Sequence, residues 1–346
     1  MTSPPPYTGP DRKNLHQGDT MKSIAIFGGS GFVGTHLKKM IVDQGLFDKI
    51  YSADIRPPRD SHDICEYLQC DVRSPIDAKS FKEVPECIVN LAAVHTSPGH
   101  PAHEYFETNI LGARNVCAFA ETLNINRIVF TSSISVYGPG EDEKSEDSIQ
   151  MPNIPYGSSK AIAEYIHREW FLKAEEKRML CILRPGVIFG KGEGGNFTRI
   201  ANALQKGFFP LPGRLDTIKA CLYVKDICRY ILSKTNAQPG FSLFNFCLPE
   251  KITISDVVKG LKKTLGYKAW TPLIPLKVIN VSAAMLGALN VPIIRKKGIV
   301  PERIIKLVKS TNISSQKICN SGFSFKYPLT AALEDWSRDC GGKNLF

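Results

Sequence analysis

A glycine-rich turn between an apolar run and an amphipathic one constrains this chain more than any other feature. Gly28-Gly29-Ser30-Gly31-Phe32-Val33-Gly34 follows Ser23-Ile24-Ala25-Ile26-Phe27, which reads as a buried parallel strand, and from Phe32 to Val42 apolar residues recur at helical spacing. Glycines in such a turn let the backbone bend tightly and approach a pyrophosphate, whose charge then rests on the helix N-terminus. The spacing is Gly-x-x-Gly-x-x-Gly, which departs from the commoner Gly-x-Gly-x-x-Gly fingerprint. The next apolar strand, Lys49 to Ala53, ends in Asp54, at the distance expected of a carboxylate that accepts from a ribose 2′-OH. A carboxylate there repels a 2′-phosphate and favours NAD, whereas the guanidinium of the nearby Arg56 could pair with one and leaves NADP open. Gly28, Ser30, Gly31, Phe32, Val33, Gly34, Asp54, Ile55 and Arg56 are therefore the expected cofactor residues of this half.

Further apolar segments end at Cys70-Asp71-Val72, run from Ile88 to Ala93 and from Ile128 to Ser133, and alternate with helical patterns at about 104–123 and 157–177. That alternation predicts an α/β fold with a Rossmann-type doubly wound parallel sheet. Ligands in such sheets lie outside the carboxyl ends of the strands. At these ends stand Asp71, Val72, Leu91, Ala92 and Ala93, followed by Ser133 and, on the next helix, Tyr156 and Lys160. Tyrosine ordinarily titrates near ~10, so a phenolate base needs a lysine or another positive charge beside it. Tyr156 and Lys160 are four apart, hence on one helix face, and Ser133 can hold a reacting hydroxyl or carbonyl. The bland alternative makes Tyr156 a helix-start residue after Pro155 and Lys160 a solvated charge.

From about residue 22 to 338 the chain resembles the extended short-chain dehydrogenase/reductases of the sugar epimerase/dehydratase family, with four motifs in family order. The resemblance implies that Ser133, Tyr156 and Lys160 are catalytic and that Asp71 and Val72 form the adenine-side loop. It places Ala92 and Ala93 beside the cofactor and makes Asn109 a helix asparagine that holds the site. It also implies NAD as cofactor. Dehydratases of the family carry an Asp-Glu pair just after the serine, as an acid and base for removing water. Ile134 and Ser135 occupy those places, which argues against a 4,6-dehydratase. A 4-epimerase is the reading adopted, with a ketoreductase using NAD(P)H as the alternative and a catalytically silent NAD-sensing protein as the reading from another class.

In the second half, UDP-sugar epimerases of the family place an asparagine just after Arg184-Pro185 and a diphosphate-binding arginine before the strand Leu222-Tyr223-Val224. Gly186-Val187 and Lys219 stand there instead. A lysine offers a point charge but no bidentate fork. His167 to Phe171, Leu183-Arg184-Pro185, Val187 to Gly190, Gly195-Asn196, Lys309-Ser310-Thr311 and Ser321-Gly322-Phe323 resemble the bacterial epimerases acting on N-acetylglucosamine linked to undecaprenyl diphosphate. That resemblance implies a sugar-diphosphate substrate, lipid-linked, in surface polysaccharide biosynthesis, with a UDP-N-acetylhexosamine as the alternative. His95, Ser133, Ile134, Tyr156, Gly186, Asn196 and Lys219 are the expected substrate residues.

Of a net charge of +11, most comes from Glu250 to Lys309, which holds 12 Lys/Arg against three acids. Within it Leu273 to Leu289 is largely apolar and ends near Arg295-Lys296-Lys297. Apolar sequence flanked by bases suits peripheral contact with an anionic membrane surface, although it is interrupted by Pro275, Lys277 and Pro292 and too short to span a bilayer needing about 20 apolar residues. A substrate-domain helix over the pocket is the plainer reading. Nucleic acid is not an expected partner, because no interleaved aromatics or known motif accompany the charge. Ten scattered cysteines without a Cys-x-x-Cys pair, and seven histidines without metal spacing, predict reduced core thiols, no metal and a cytoplasmic protein, at most at the inner face of the membrane.

Residues 1–21 are Pro-, Gly- and polar-rich and are expected to be a disordered extension. Residues 22–185 are expected to form the NAD-binding domain, to which later segments return, and 186–340 mainly a smaller C-terminal α/β substrate domain. Family resemblance implies a homodimer paired through the helices near 104–123 and 157–177.

Overall fold

The computed structural model describes residues 21–97, 99–275, 278, 308–342 and 345. Expectations for residues 1–20, and for most of the apolar and basic stretch after Pro275, lie outside the described residues. Met21, expected to close the leading extension, already belongs to the first strand.

Seven strands form one parallel sheet: β1 (Met21–Phe27), β2 (Phe47–Asp54), β3 (Cys65–Gln69), β4 (Cys87–Asn90), β5 (Arg127–Thr131), β7 (Met179–Pro185) and β11 (Gly240–Phe246). Their order is β11-β7-β5-β4-β1-β2-β3. The chain thus builds outward from β1 to β3, then restarts on the other side of β1 with β4. The switch point between β1 and β4 is where such sheets open a crevice. Three short parallel pairs complete the described strands: β6 (Gly140–Lys144) with β13 (Thr311–Ile313), β8 (Val187–Phe189) with β10 (Cys221–Tyr223), and β9 (Leu211–Pro212) with β12 (Leu273–Ile274).

Because both faces of a parallel sheet are covered, its central strands are largely apolar. On one face Ile24, Ile26, Val89, Val129 and Cys181 pack with α1 (Phe32–Gln44), α6 (Val224–Lys234) and neighbouring elements. On the other, Ala25, Phe27, Ile88, Ile128 and Leu180 pack against α3 (Gly112–Thr122) and α4 (Pro155–Leu172). The substrate lobe adds α5 (Asn196–Gln205), α7 (Ile254–Leu265), α8 (Gln316–Asn320) and α9 (Leu329–Asp339).

Several element ends differ from the sequence expectation. The fourth strand stops at Asn90 rather than Ala93, because the Asn90 side chain accepts from Ala92 N (3.3 Å) and Asn109 brackets Val94. The helix expected over 104–123 is three pieces, α2 (Ala102–Phe106), a π-helical turn (Glu107–Leu111) and α3. The helix from Pro155 ends at Leu172, short of 177. No described helix is long and apolar enough to cross a membrane.

Candidate active site

The glycine turn is held by backbone crowding. Gly28 has φ +79°, and a Cβ there would lie 2.8 Å from Ala92 N, so the turn after β1 abuts the chain leaving β4. Gly34 is required for a different reason: a Cβ would fall 2.7 Å from the Gly28 carbonyl oxygen and the Gly29 Cα, closing the gap between helix and turn. Gly31 begins α1 with no side-chain cap and no acid in the first turn, which leaves the positive helix end open to an anion. Phe32 lies edge-on to His36 (5.3 Å), and Val33 packs on the core. Asp54 is buried at the end of β2, accepting from Ser30 N (3.0 Å) and Arg56 N (3.0 Å), with the Arg56 guanidinium 3.9 Å away. Ile55 beside it is exposed. The Ser30 hydroxyl is buried without a hydrogen-bond partner, a polar atom left for something else to satisfy. An uncapped glycine helix start, a buried carboxylate at its flank and this orphan hydroxyl together fit a dinucleotide.

On the adenine side, Val72 is buried, its carbonyl accepting from Asn115 (2.8 Å) and its side chain filling the space a Cβ on Gly112 would need. Asp71 pairs with Arg73 at 2.6 Å, and that hydrogen bond holds its carboxyl below the usual range despite some desolvation. Leu91, Ala92 and Ala93 are partly buried after β4.

β5 ends in Thr131, and the chain turns through Ser132 and Ser133 into a short 3-10 helix, Ile134–Tyr137. Ser133 is buried, accepts from Ser135 N (3.1 Å) and stands beside the Tyr156 phenol, where its hydroxyl favours the phenolate. Tyr156 starts α4 with the pre-set backbone of Pro155 before it. Burial pushes its phenol up to about 12, with Ser133 pulling the other way. Lys160, one turn on, is buried, donates to the Thr131 carbonyl (2.9 Å) and stands 4.9 Å over the Phe130 ring. Burial pulls its ammonium down to about 7, opposed by Glu164. Base and lysine are both neutral in this environment above pH 7, and a positive charge next to Tyr156 would draw its proton off.

Asn109 fixes the turn above them. It sits in the π-helical turn, accepts from Val94 N (2.9 Å), and donates to Val94 O (3.1 Å) and Ser159 Oγ (2.8 Å), while Ser159 donates to the Tyr156 carbonyl (2.9 Å). His95 follows, its pKa lowered first by desolvation and then by the charge of Lys160.

Other expected substrate residues are used differently. The Ile134 side chain packs into a small core with Val136, Tyr137, Ala220 and Ile313. Gly186 is packed against the backbone of residue 220, where a Cβ would meet the Ala220 carbonyl oxygen at 2.6 Å. Asn196 opens α5 and is exposed. Lys219 donates to the Lys309 carbonyl at 2.6 Å, and partial burial lowers its ammonium to about 8. The structure therefore brings Ser133, Tyr156, Lys160, Asn109 and His95 together, and gives Ile134, Gly186 and Lys219 partners within the fold.

A buried polar network beneath the triad was not foreseen. Glu164, a turn beyond Lys160, accepts from Arg184 through both oxygens (2.8 and 2.6 Å), from Ser132 (2.5 Å) and from Gln150 (2.9 Å). Arg184 also donates to Tyr137 OH (2.5 Å), which donates to Asn245 (2.7 Å). His167, a further turn on, donates from Nδ1 to the Ala163 carbonyl (2.8 Å), so its Nε2 accepts from Asn90 (3.3 Å). Burial pushes this imidazole down to about 4, keeping it neutral. The i,i+4,i+7 spacing of Lys160, Glu164 and His167 was the one readable signal.

A doubly wound sheet with a glycine turn at its switch point and a Ser-Tyr-Lys cluster across the crevice defines a dinucleotide-dependent enzyme of the short-chain dehydrogenase/reductase type. Residues 24–240 match the NAD dependent epimerase/dehydratase family, and the chain belongs to that family. NAD is its cofactor. The chain is 30% identical over 319 residues to an N-acetyl-alpha-D-glucosaminyl-diphospho-ditrans,octacis-undecaprenol 4-epimerase of Escherichia coli O157:H7, covering 90% of this chain and 93% of that protein. It is also 30% identical over 278 residues to a UDP-glucose 4-epimerase of Vibrio cholerae, covering 77% and 83% of the two. Among solved structures it superposes on a UDP-glucuronic acid 4-epimerase from Bacillus cereus in complex with NAD, with TM-score 0.72, 17% identity and 92% and 99% of the two chains covered.

Proposed function

We propose that this enzyme inverts C4 of an N-acetylhexosamine carried on a diphosphate, and that its substrate is polyprenyl-diphosphate-linked N-acetylglucosamine, converted to the N-acetylgalactosamine form. The observation that carries a hydride-based epimerisation is the placement of Tyr156 beside Ser133 at the carboxyl end of β5, with Lys160 buried behind. NAD, held by the Gly28–Gly34 turn and Asp54, would supply a reversible hydride acceptor for the sugar carbon. Tyr156 receives the hydroxyl proton through its phenolic oxygen and later gives it back, Ser133 holds the sugar oxygen, and Lys160, in its protonated form, supplies the charge that favours the phenolate. Ile134 in the core and Ser135 bonded to Ser133 leave no carboxylate pair at the positions a dehydratase needs. The undecaprenol-linked carrier is supported by the Escherichia coli relative, whose match spans nearly the whole chain.

A free UDP-N-acetylhexosamine is the second reading. It is favoured by the equally identical Vibrio cholerae relative and by the many nucleotide-sugar enzymes that share the fold. The test is incubation of purified protein, without added cofactor, with UDP-N-acetylglucosamine and separately with the undecaprenyl-diphosphate form, scoring C4 inversion. Turnover of the lipid form alone supports the first reading, turnover of the UDP form the second, and silence with both shifts the weight to a reductase needing NAD(P)H.

The same reading includes pairing of two copies through the helices near 104–123 and 157–177, the second of which is α4. Ile162, Tyr165 and Leu172 lie at helical spacing and are 44%, 63% and 56% exposed, an apolar stripe suited to burial against its own copy. Sedimentation should give a dimer that Tyr165→Glu dissociates, and a wild-type monomer would refute it.

A further inference from the structure

One surface of the substrate lobe combines exposed rings with a cluster of lysines. Phe208 and Trp270 are 46% and 70% exposed, with ring centroids 5.5 Å apart. They are not on a loose loop: Phe209 N donates to Trp270 O (3.1 Å), Trp270 N to Gly207 O (2.9 Å), and β9 pairs with β12 immediately after. Leu273, on the strand that follows Trp270, and Val278 are 48% and 53% exposed. Large exposed side chains held in place by a backbone ladder are an ordered apolar surface, which soluble proteins seldom leave uncovered.

Its surroundings are basic. Leu211, Val258 and Thr271 line an open cleft of about 420 Å³ together with Lys259, Lys262 and Lys263 of α7. Lys206 and Lys268 are exposed within two residues of the two rings. Neither 203–213 nor 257–274 contains a single Asp or Glu. Lys262 donates to the Ala269 carbonyl (2.8 Å), tying the cleft to the ring-bearing strap. Two copies meeting here would bring lysine against lysine, so charge complementarity points to an anionic partner. Rings between apolar and charged neighbours are what the headgroup layer of a bilayer accommodates.

We propose that this surface docks on an anionic phospholipid bilayer, with Trp270 and Phe208 inserted at headgroup level and the lysines facing lipid phosphates. The docking does not depend on which diphosphate carries the sugar, so its failure would leave the proposed reaction untouched. Each lysine near the surface should strengthen partitioning on the order of fivefold at low salt.

The chain contains three tryptophans, and Trp170 and Trp336 are fully buried, so a change in tryptophan emission on contact with vesicles reports Trp270. The full-length, NAD-loaded protein is mixed with vesicles of phosphatidylcholine alone, or with about one-third phosphatidylglycerol, at low and high salt. The expected result is a blue shift and co-sedimentation with the anionic vesicles only, weakened by salt. Co-sedimentation should fall roughly tenfold or more in Phe208→Ser/Trp270→Ser and in Lys259→Glu/Lys263→Glu, with unfolding temperatures kept within a few degrees. No shift and no sedimentation would overturn the proposal. So would binding that ignores both double variants, a shift that follows protein concentration without vesicles (a second copy), or a shift given by a single-stranded oligonucleotide and not by vesicles.

Discussion

The cofactor half and the substrate half of this molecule spend their special residues in opposite ways. Around the switch point, glycines and carboxylates keep a groove open: Gly28 and Gly34 let backbone segments nearly touch, and Asp54 is anchored at the flank of an uncapped helix start. Past β7, residues at places where a diphosphate-binding group is expected close up the fold. Gly186 packs on the backbone of residue 220, and Lys219 donates to Lys309 O. A binding site for an invariant cofactor can be fixed by backbone geometry, whereas a site for a variable substrate has to be made by side chains that the fold does not already engage.

The proposed reaction puts its chemistry at the seam between the halves, and the largest effect should come from there. Tyr156→Phe keeps the ring, which sits 6.3 Å from Tyr105, and removes only the hydroxyl. C4 inversion should fall about 10³-fold, within the usual span of general acid–base catalysis, while bound NAD measured after denaturation stays unchanged. Retained inversion would mean the proton moves elsewhere, and a silent NAD-binding protein would lose nothing.

Next in size is the network under the seam. Arg184→Met leaves Glu164 buried without its bidentate partner, which typically costs about 3–5 kcal/mol and should lower the unfolding temperature by many degrees. Arg214→Ala, which breaks ion pairs to Glu141 and Asp216 at the surface, should stay within about 1 kcal/mol. Equal losses from the two would erase the distinction between structural charge below β7 and solvated charge beyond it.

What is legible in the sequence follows the same division. The glycine turn, Asp54, and Tyr156 with Lys160 were readable because each is a local pattern with a local physical cause. β11 was not, since Gly240–Phe246 acquires its meaning only by pairing with Met179–Pro185, more than fifty residues earlier. The Ser132, Glu164 and Arg184 cluster comes from three elements that no single window contains. Asn109 was placed by resemblance, but the π-helical turn that aims it at Val94 and Ser159 has no sequence signature. For Lys219, spacing shows where a cation stands and not which carbonyl it meets.

A subtler effect concerns Lys160. Its folded pKa, about 7, lies below the 10.5 of the free side chain, so between those values the unfolded chain holds a proton that the folded chain does not. Stability therefore rises with pH through that window, and the full cost of burying the ammonium is felt below pH 7. In NAD-free protein, urea unfolding of wild type and Lys160→Met from pH 6 to pH 9 should show wild type gaining on the variant as pH rises. A constant gap would mean that Lys160 stays charged when folded, with Glu164 outweighing desolvation.

The smallest expected effect is also the one that tests the comparison most directly. Lys219 lies where the family resemblance puts a diphosphate-binding arginine, yet its ammonium is partly buried and already donates to the Lys309 carbonyl. A group so engaged must give up that hydrogen bond to reach a phosphate, and the exchange returns little net free energy, on the order of 1 kcal/mol. Lys219→Met should therefore raise KM for the diphosphate sugar about threefold to fivefold and leave kcat nearly unchanged, the pattern of a group that contributes only ground-state binding. A rise of about a hundredfold would place Lys219 on the phosphates in the working enzyme, with the bond to Lys309 exchanged on substrate entry. The substrate half would then prove as firmly specified as the cofactor half, and the arginine-to-lysine change would alter the geometry of diphosphate recognition without removing it.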